Sequence, residues 1–245
     1  MKSDKLVINT LVLLDDLKKG ISQSDIMDKI NEMGIKNVEI RREFIKDFHE
    51  EIIRIREKAN KNNMKLFYSV PEWLFKENNL RINEIEGFFN EAYKMNCHNI
   101  KMIIGEVNEI TKEDSKIIND LCERYSIKLT VENDQTAENG RVEKIYNFLK
   151  RNRELGGNIS FTFDVGNWIF QDEDPIKNAE ILNSFVTYVH LKNIDESRGN
   201  TLIDKGILSL KDILNKLPKD LPMALEYPCC SMEEIKLEIK KALKF

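Results

Sequence analysis

Short runs of β-branched and aromatic residues alternate with longer amphipathic segments along the whole chain. The pattern recurs eight times, and the predicted strands span residues 6–13, 37–42, 65–70, 99–104, 127–132, 159–164, 186–191 and 222–227. Dividing the 245 residues by eight leaves about 31 residues per unit, which is room for one strand, one helix and two short loops. This alternation predicts parallel strands joined by helices.

Helix start and stop signals lie between the predicted strands. Ser22 or Ser24 is placed to cap a helix after the first strand, and Gly34 is placed to end it. Thr111 is placed to cap the helix after the fourth strand, and Pro175 suits the first turn of the helix after the sixth. Eight such units without a change of composition predict one (β/α)8 TIM barrel domain over residues 1–245. An open doubly wound sheet is the alternative, but no G-x-G-x-x-G motif follows the first strand.

Composition and charge exclude several classes of function. The net charge is -4 and no basic stripe occurs, which argues against nucleic acid as a partner. The apolar N-terminal segment ends at Asp15 and Asp16, too early to span a bilayer, so a cytoplasmic location without a membrane partner is expected. The cysteines lack C-x-x-C spacing, and buried thiols are expected at Cys97, Cys122, Cys229 and Cys230.

Polar residues close the last four predicted strands. Glu132, Asp164, His190 and Glu226 are separated by 32, 26 and 36 residues, each about one βα unit. In a barrel the carboxyl ends of the strands form the active-site mouth, so the four side chains can converge there. Three carboxylates and an imidazole form a hard ligand set that favours Mn²⁺, Mg²⁺ or Co²⁺, with Zn²⁺ as a further candidate. The pattern predicts one divalent metal ion.

Other polar and aromatic residues are predicted near the same mouth. Strand alternation in NVEIRRE directs Glu39 and Arg41 into the barrel. It also directs Lys101 inward, where the cation needs an anion such as Glu39 or a substrate carboxylate. A structural ion pair is the alternative. Trp73 and Trp168 follow the third and sixth strands, where an aromatic ring can line a sugar pocket or pack the loops.

The segments VEN, FTFDVGNW, HLKN and LEY at the last four strands, together with DKGILSL, resemble the xylose-isomerase-like sugar phosphate isomerase/epimerase barrels. The resemblance covers nearly the whole chain. VEIRRE, VENDQT and DVGNW look most like a branch of predicted epimerases associated with ketogluconate use. The resemblance implies that Glu132, Asp164, His190 and Glu226 hold one divalent metal ion. It further implies that Glu132 and Glu226 move the substrate proton.

The chain departs from the family pattern at a position predicted to contact substrate. Many members carry His three residues after the sixth-strand Asp, whereas this chain has Asn167, whose amide donates and accepts hydrogen bonds but exchanges no proton near neutral pH. Lys192 and Asn193 stand where the family pattern more often ends in Asp. Arg198, in the loop after the seventh strand, is a candidate for gripping a carboxylate or phosphate, with a solvated loop arginine as the alternative.

These observations predict a metal-dependent isomerase or epimerase that acts on a ketose, a keto-sugar acid or a related small hydroxy-carbonyl compound through an enediolate. A dehydratase of an inosose or keto-sugar acid in the same fold, or a non-catalytic sugar-binding barrel, is the alternative. A DNA-repair role like that of endonuclease IV, which also resembles this barrel, is disfavoured because that enzyme needs three zinc ions and many histidines, and this chain has three histidines. A sugar or sugar-acid substrate is the expected partner, and homo-oligomerisation is left open.

Overall fold

The computed structural model describes residues 1–245 and contains eight parallel strands that close into a barrel. The strands are β1 Leu6–Asn9, β2 Asn37–Arg41, β3 Lys65–Lys76, β4 Cys97–Gly105, β5 Lys128–Glu132, β6 Ser160–Asp164, β7 Val186–Leu191 and β8 Met223–Leu225. Each strand pairs with the next along the chain, and β8 pairs with β1 in the register Leu6 to Met223, which closes the sheet. The predicted (β/α)8 barrel is confirmed.

The helices lie outside this barrel. They are α1 Leu14–Lys18, α2 Gln23–Glu32, α3 Glu50–Asn62, α4 Ile82–Met95, α5 Lys112–Tyr125, α6 Val142–Glu154, α7 Pro175–Leu182, α8 Leu210–Leu214 and α9 Met232–Ala242. Ser22 caps α2, and Gly34 follows the helix with a φ of +78°, a left-handed conformation that glycine adopts without strain. Thr111 forms a capping box with Asp114 at the start of α5, and Pro175 is in the first turn of α7. None of the helices combines the length and apolar composition that a membrane span requires.

Two predicted strands, β1 and β8, are shorter by three or more residues in the structure than the hydrophobic pattern suggests. β1 ends at Asn9 because the Asn9 side chain accepts a hydrogen bond from the backbone N–H of Leu11 at 2.9 Å. The next residues, Thr10–Leu13, therefore form a 3-10 turn and not the second half of a strand. β8 ends at Leu225, so Glu226 is the first residue after it. Both differences lie at the mouth of the barrel.

The hydrophobic core lies between the strands and the helices, while the barrel interior is largely polar. Val38 and Ile40 of β2 are fully buried in the outer core, and Glu39 between them points into the barrel. Within the barrel, the Oγ1 atom of Thr162 donates to that of Thr130 at 2.7 Å. Apolar packing inside the barrel is confined to a small separate cluster of Val7, Tyr188 and Ala224, with Phe67 against it. A polar interior positions charged side chains at the mouth.

The cysteines form no disulfide. Cys97, Cys122 and Cys229 are buried as predicted, but the prediction is wrong for Cys230, which is exposed. Cys230 lies in the turn before α9, where its backbone N–H donates to the Glu234 carboxylate at 2.6 Å.

Candidate metal centre

The four predicted metal ligands converge at the carboxyl ends of β5 to β8. Ligand atoms of Glu132, Asp164, His190 and Glu226 all lie within 4.8 Å of one another, and all four residues are buried. The register explains this, because Asp164 on β6 and Ala224 on β8 both lie beside His190 on β7. The structure thus brings together the residues that the spacing of the strand ends predicted.

The two acids on β5 and β6 are each held through one oxygen. Asp164 Oδ1 accepts hydrogen bonds from the backbone N–H groups of Gly166 at 2.9 Å and Asn167 at 2.8 Å. Glycine is required at 166, since a Cβ there would lie 2.8 Å from Lys192 Cγ. Glu132 Oε2 lies 2.5 Å from the Nζ of Lys101. The second oxygen of each acid is left free to face the ligand centre.

The other two ligand residues are held in the same way. Glu226 Oε1 accepts a hydrogen bond from Arg41 Nη1 at 2.8 Å. His190 Nε2 faces the Glu39 carboxylate at 3.0 Å, which leaves Nδ1 towards the centre. The four side chains therefore share one arrangement, in which one polar atom is held by the protein and another is directed at a common point.

The atoms directed at the common point lack hydrogen bonds. Glu132 Oε1, Asp164 Oδ2 and His190 Nδ1 are buried and have no hydrogen-bond partner. His190 Nδ1 lies 2.5 Å from Glu132 Oε1 and 3.1 Å from Glu226 Oε2, but neither contact has hydrogen-bond geometry. Carboxylates this close together need compensating positive charge, which a bound cation, the Lys192 ammonium or a protonated His190 supplies. Three carboxylate oxygens and one imidazole nitrogen fit a hard or borderline divalent ion.

Lys192 supplies part of the positive charge at this point. Its Nζ lies 2.7 Å from Asp164 Oδ2 and 3.7 Å from Glu226 Oε2, although the first contact also lacks hydrogen-bond geometry. Burial raises the pKa of Asp164 to about 7, and the Lys192 ammonium opposes that rise. The ammonium is therefore a neighbour of the ligand set and does not replace a ligand.

The remaining ligand pKa values follow from burial and from neighbouring charges. Burial disfavours the imidazolium of His190, but Glu226, Glu39 and Glu132 outweigh it and raise the His190 pKa well above its usual range. Burial also disfavours the carboxylate of Glu226, but its cationic neighbours, first among them His190, lower the Glu226 pKa well below its usual range. A metal ion that takes His190 Nδ1 as a ligand would compete with a proton for that atom.

A cavity of about 360 Å³ opens above the ligands. The cavity is lined by Leu11, Arg41, Pro71, Lys101, Ile103, Glu132, Asp134, Gln135, Thr136, Asn167, Lys192, Asn200 and Glu226. Most of these side chains are polar, which suits a small hydroxylated molecule. Two larger surface grooves, of about 720 and 800 Å³, lie elsewhere and contain none of the four ligands.

Four of the predicted substrate-binding residues lie at this cavity. Arg41, Lys101, Asn167 and Lys192 all line it. Lys101 pairs with Glu132, a buried anion other than the Glu39 or substrate carboxylate that its inward direction suggests. Asn167 donates from its side-chain amide to the Asn133 carbonyl at 2.8 Å, which ties the loop after β6 to the loop after β5.

The structure does not bring three other predicted residues to the cavity. Glu39 is fully buried behind His190. Trp168 is fully buried in the outer core, with its ring 5.4 Å from that of Phe163. Arg198 lies outside the cavity, where its guanidinium pairs with Asp172 at 2.6 Å and its side chain is 48% exposed. Trp73, predicted to follow the third strand, instead lies within β3, where it pairs with Ile103 of β4, and it does not line the cavity.

Sequence reasoning did not select several lining residues. Asp134, Gln135 and Thr136 lie in the loop that begins one residue after Glu132, and the rule that pointed to strand ends extends to this loop. Leu11 and Asn200 carry no such signal, because their place at the cavity depends on the 3-10 turn after β1 and on the path of the loop after β7.

Comparison with known proteins bears on the fold. Neither a protein-family model nor a curated protein sequence matches the chain. Solved structures do match over nearly the full length. A probable 3-DHS dehydratase, AsbF from Bacillus anthracis, superposes with a TM-score of 0.74 at 15% identity over 98% of both chains. The fold is that of the xylose-isomerase-like barrels.

Two further xylose-isomerase-like barrels show the range of proteins that share the fold. The IolI protein, solved with a zinc atom, gives a TM-score of 0.72 at 16% identity, covering 98% of this chain and 96% of that one. D-psicose 3-epimerase, solved in the presence of D-fructose, gives a TM-score of 0.71 at 14% identity, covering 98% of this chain and 97% of that one. At these identities the likeness establishes the fold alone, and the resemblance inferred from the strand-end motifs agrees with it.

Proposed function

We propose that this protein is a divalent-metal-dependent isomerase or epimerase of a ketose, a keto-sugar acid or a related small hydroxy-carbonyl compound. The observation that carries the proposal is the convergence of Glu132 Oε1, Asp164 Oδ2 and His190 Nδ1, three buried atoms without hydrogen-bond partners, with Glu226 beside them. The solved proteins that share this fold include sugar epimerases, a zinc-containing protein and a dehydratase, which supports the same class of chemistry.

A divalent ion held by the four ligands would act as a Lewis acid on adjacent carbonyl and hydroxyl oxygens of the substrate. Glu132 and Glu226 carry the proton in this proposal. The oxygens available for it are Glu132 Oε2 and Glu226 Oε1, which are directed away from the ligand centre. Lys101 and Arg41 contact these oxygens and keep both carboxylates ionised.

The cavity carries charges of both signs. Arg41, Lys101 and Lys192 line it together with Glu132, Glu226 and Asp134. Arg41 also pairs with Glu43 at 2.6 Å. The three cationic side chains are placed to contact a substrate carboxylate or the negative charge of an enediolate.

The test is incubation of the Mn²⁺-loaded protein in heavy water with a panel of ketoses, keto-sugar acids and inososes, followed by NMR. Deuterium at a carbon next to a carbonyl is expected and would identify the substrate class. Loss of water to an unsaturated product would instead indicate a dehydratase. A protein that binds sugars and metal but exchanges no hydrogen with any of them would be a non-catalytic sugar-binding barrel, and the proposal would be wrong.

Glutamine variants test the assignment of the two proton carriers. Glu132→Gln and Glu226→Gln each retain an oxygen for the metal ion but lose the basic carboxylate. Net turnover should fall by a factor on the order of 10² or more in each variant. One variant should still exchange substrate hydrogen with heavy water, because the remaining glutamate serves its own face. Parental turnover in both variants, with metal occupancy confirmed, would show that the glutamates are ligands only.

A further inference from the structure

Glu39 is a fully buried carboxylate that neither the ligand centre nor the cavity uses directly. It forms no ion pair with a lysine or arginine, and its only charged contact is the Nε2 atom of His190, 3.0 Å from Oε2 and 3.1 Å from Oε1. Burying an ionised carboxylate is unfavourable, and a fold is served at least as well by an apolar residue in its place. Packing alone therefore does not explain Glu39.

The contact between Glu39 and His190 Nε2 decides which nitrogen of His190 carries the hydrogen. An ionised carboxylate only accepts, so a neutral His190 must donate from Nε2 to Glu39. The lone pair is then on Nδ1, the ring atom directed at Glu132 and Glu226. Because the two nitrogens lie on opposite sides of the ring, Glu39 acts from behind His190 and does not compete with it for the ligand centre.

Aromatic packing holds the same ring from the side. The ring of Tyr188 stands edge-on to that of His190, with centroids 5.0 Å apart and an interplanar angle of 81°. Tyr188 is itself stacked on Phe67 at 4.8 Å. The imidazole is thus held by Glu39 at one edge and by an aromatic ring beside it.

Asn9 holds Glu39 in this position. Its side-chain Nδ2 donates to Glu39 Oε2 at 2.6 Å, and its Oδ1 accepts from the backbone N–H of Leu11 at 2.9 Å. The Leu11 contact fixes the orientation of the amide, so Asn9 must present its NH₂ group to the carboxylate. The turn that ends β1 is therefore connected to His190 through Asn9 and Glu39.

We propose that Glu39, held by Asn9, is a positioning residue that sets the tautomer and orientation of His190 for metal binding and does not touch the substrate. This inference rests on the proposed function, since it requires a metal ion at the four ligands. Carboxylates behind metal-bound histidines commonly raise metal affinity, and their loss lowers it by about 10 to 100-fold. The role assigned here replaces the substrate contact predicted for Glu39.

The experiment compares metal affinity in Glu39→Ala, Glu39→Gln and a matched control. The control is Glu51→Gln, because Glu51 is also a buried carboxylate, accepts backbone N–H groups of Gln23 and Lys46, and does not contact His190. Zn²⁺ affinity is measured by competition with a chromogenic chelator. Glu39→Ala should bind Zn²⁺ about 10 to 100-fold more weakly, and Glu39→Gln, whose amide oxygen still accepts from Nε2, should lie between Glu39→Ala and the parent. Glu51→Gln should match the parent.

A spectroscopic measurement separates positioning from general damage. In Zn²⁺-loaded protein with ¹⁵N-labelled histidine, His190 should show an Nε2-bound proton protected from exchange with water. Glu39→Ala should lose that protection, Glu39→Gln should retain part of it, and Glu51→Gln should retain it fully.

The two hypotheses fail in different ways. Parental protein that binds no Zn²⁺, Mn²⁺ or Co²⁺ would overturn both the metal site and the role of Glu39. If the parent binds metal while the folded Glu39→Gln and Glu39→Ala variants bind it equally well with the Nε2 proton intact, the inference is wrong and the metal site stands. Should Glu39→Ala fail to fold, Glu39→Gln decides the question by itself.

Discussion

Lys101 and a divalent ion would both compensate the negative charge of Glu132, so the variant Lys101→Met should bind metal more tightly than the parent. The Lys101 ammonium lies 2.5 Å from Glu132 Oε2, and the two side chains are only 3% and 6% exposed. Burial by itself lowers the pKa of Lys101, but Glu132 and Glu226 raise it above its usual range. Both partners are therefore ionised, and methionine removes the charge while keeping a side chain of similar length.

The expected magnitude follows from the burial of this pair. Removing one partner of a buried ion pair costs about 3 to 5 kcal/mol, because the other charge is left uncompensated. That cost applies to the metal-free protein, where Glu132 keeps only His190 as a nearby cation. In the metal-loaded protein the ion also compensates the negative charge of Glu132. If the ion restores about 2 kcal/mol of the lost free energy of unfolding, the variant should bind metal about 30-fold more tightly than the parent, because 1.4 kcal/mol corresponds to a tenfold change in affinity.

The assay is urea unfolding with a chelator and with saturating Mn²⁺, together with calorimetric titration of the metal. Lys216→Met is the matched control, because Lys216 also pairs with a glutamate at 2.5 Å, but on the surface, where its side chain is 41% exposed. The control should change stability little and equally in both conditions, since exposed ion pairs contribute little. Equal destabilisation of Lys101→Met with and without Mn²⁺, and an unchanged metal affinity, would refute the reasoning.

Three further predictions concern the ligand centre and the cavity. His190→Ala should lower metal affinity at least about tenfold without unfolding the barrel, measured by titration and circular dichroism; unchanged affinity would show that His190 is only a core residue. Metal affinity should rise as pH increases through about 7, because Asp164 and His190 must both lose protons to bind metal. Burial raises the pKa of Asp164 to about 7, and neighbouring carboxylates raise the pKa of His190. Equal affinity at about pH 6 and pH 8 would contradict this. Asn167→Ala should weaken substrate binding by about 1 to 3 kcal/mol, seen as a higher KM with kcat nearly unchanged, whereas lost turnover with intact binding would assign Asn167 a chemical role.

Local sequence patterns were sufficient to predict the barrel and to locate the four residues that converge at its mouth. Strand alternation and helix caps such as Ser22 and Thr111 act over a few residues, so they are legible in the chain itself. Glu132 and Asp164 could be located because each ends a strand and lies about one βα unit from the next ligand. Closure of the barrel then requires these strand ends to meet, which is a property of the fold class and not of particular contacts.

The tertiary structure alone decided which charges pair and which side chains reach the cavity. Strand alternation predicted that Glu39 and Lys101 point into the barrel. In the tertiary structure Lys101 forms an ion pair with Glu132, and Glu39 lies behind His190. Trp168 belongs to the same loop as Asn167, yet one packs into the core and the other lines the cavity. Such outcomes depend on partners distant in sequence and on the paths of loops, because a side chain's neighbours across a barrel leave no periodic signal in its own segment.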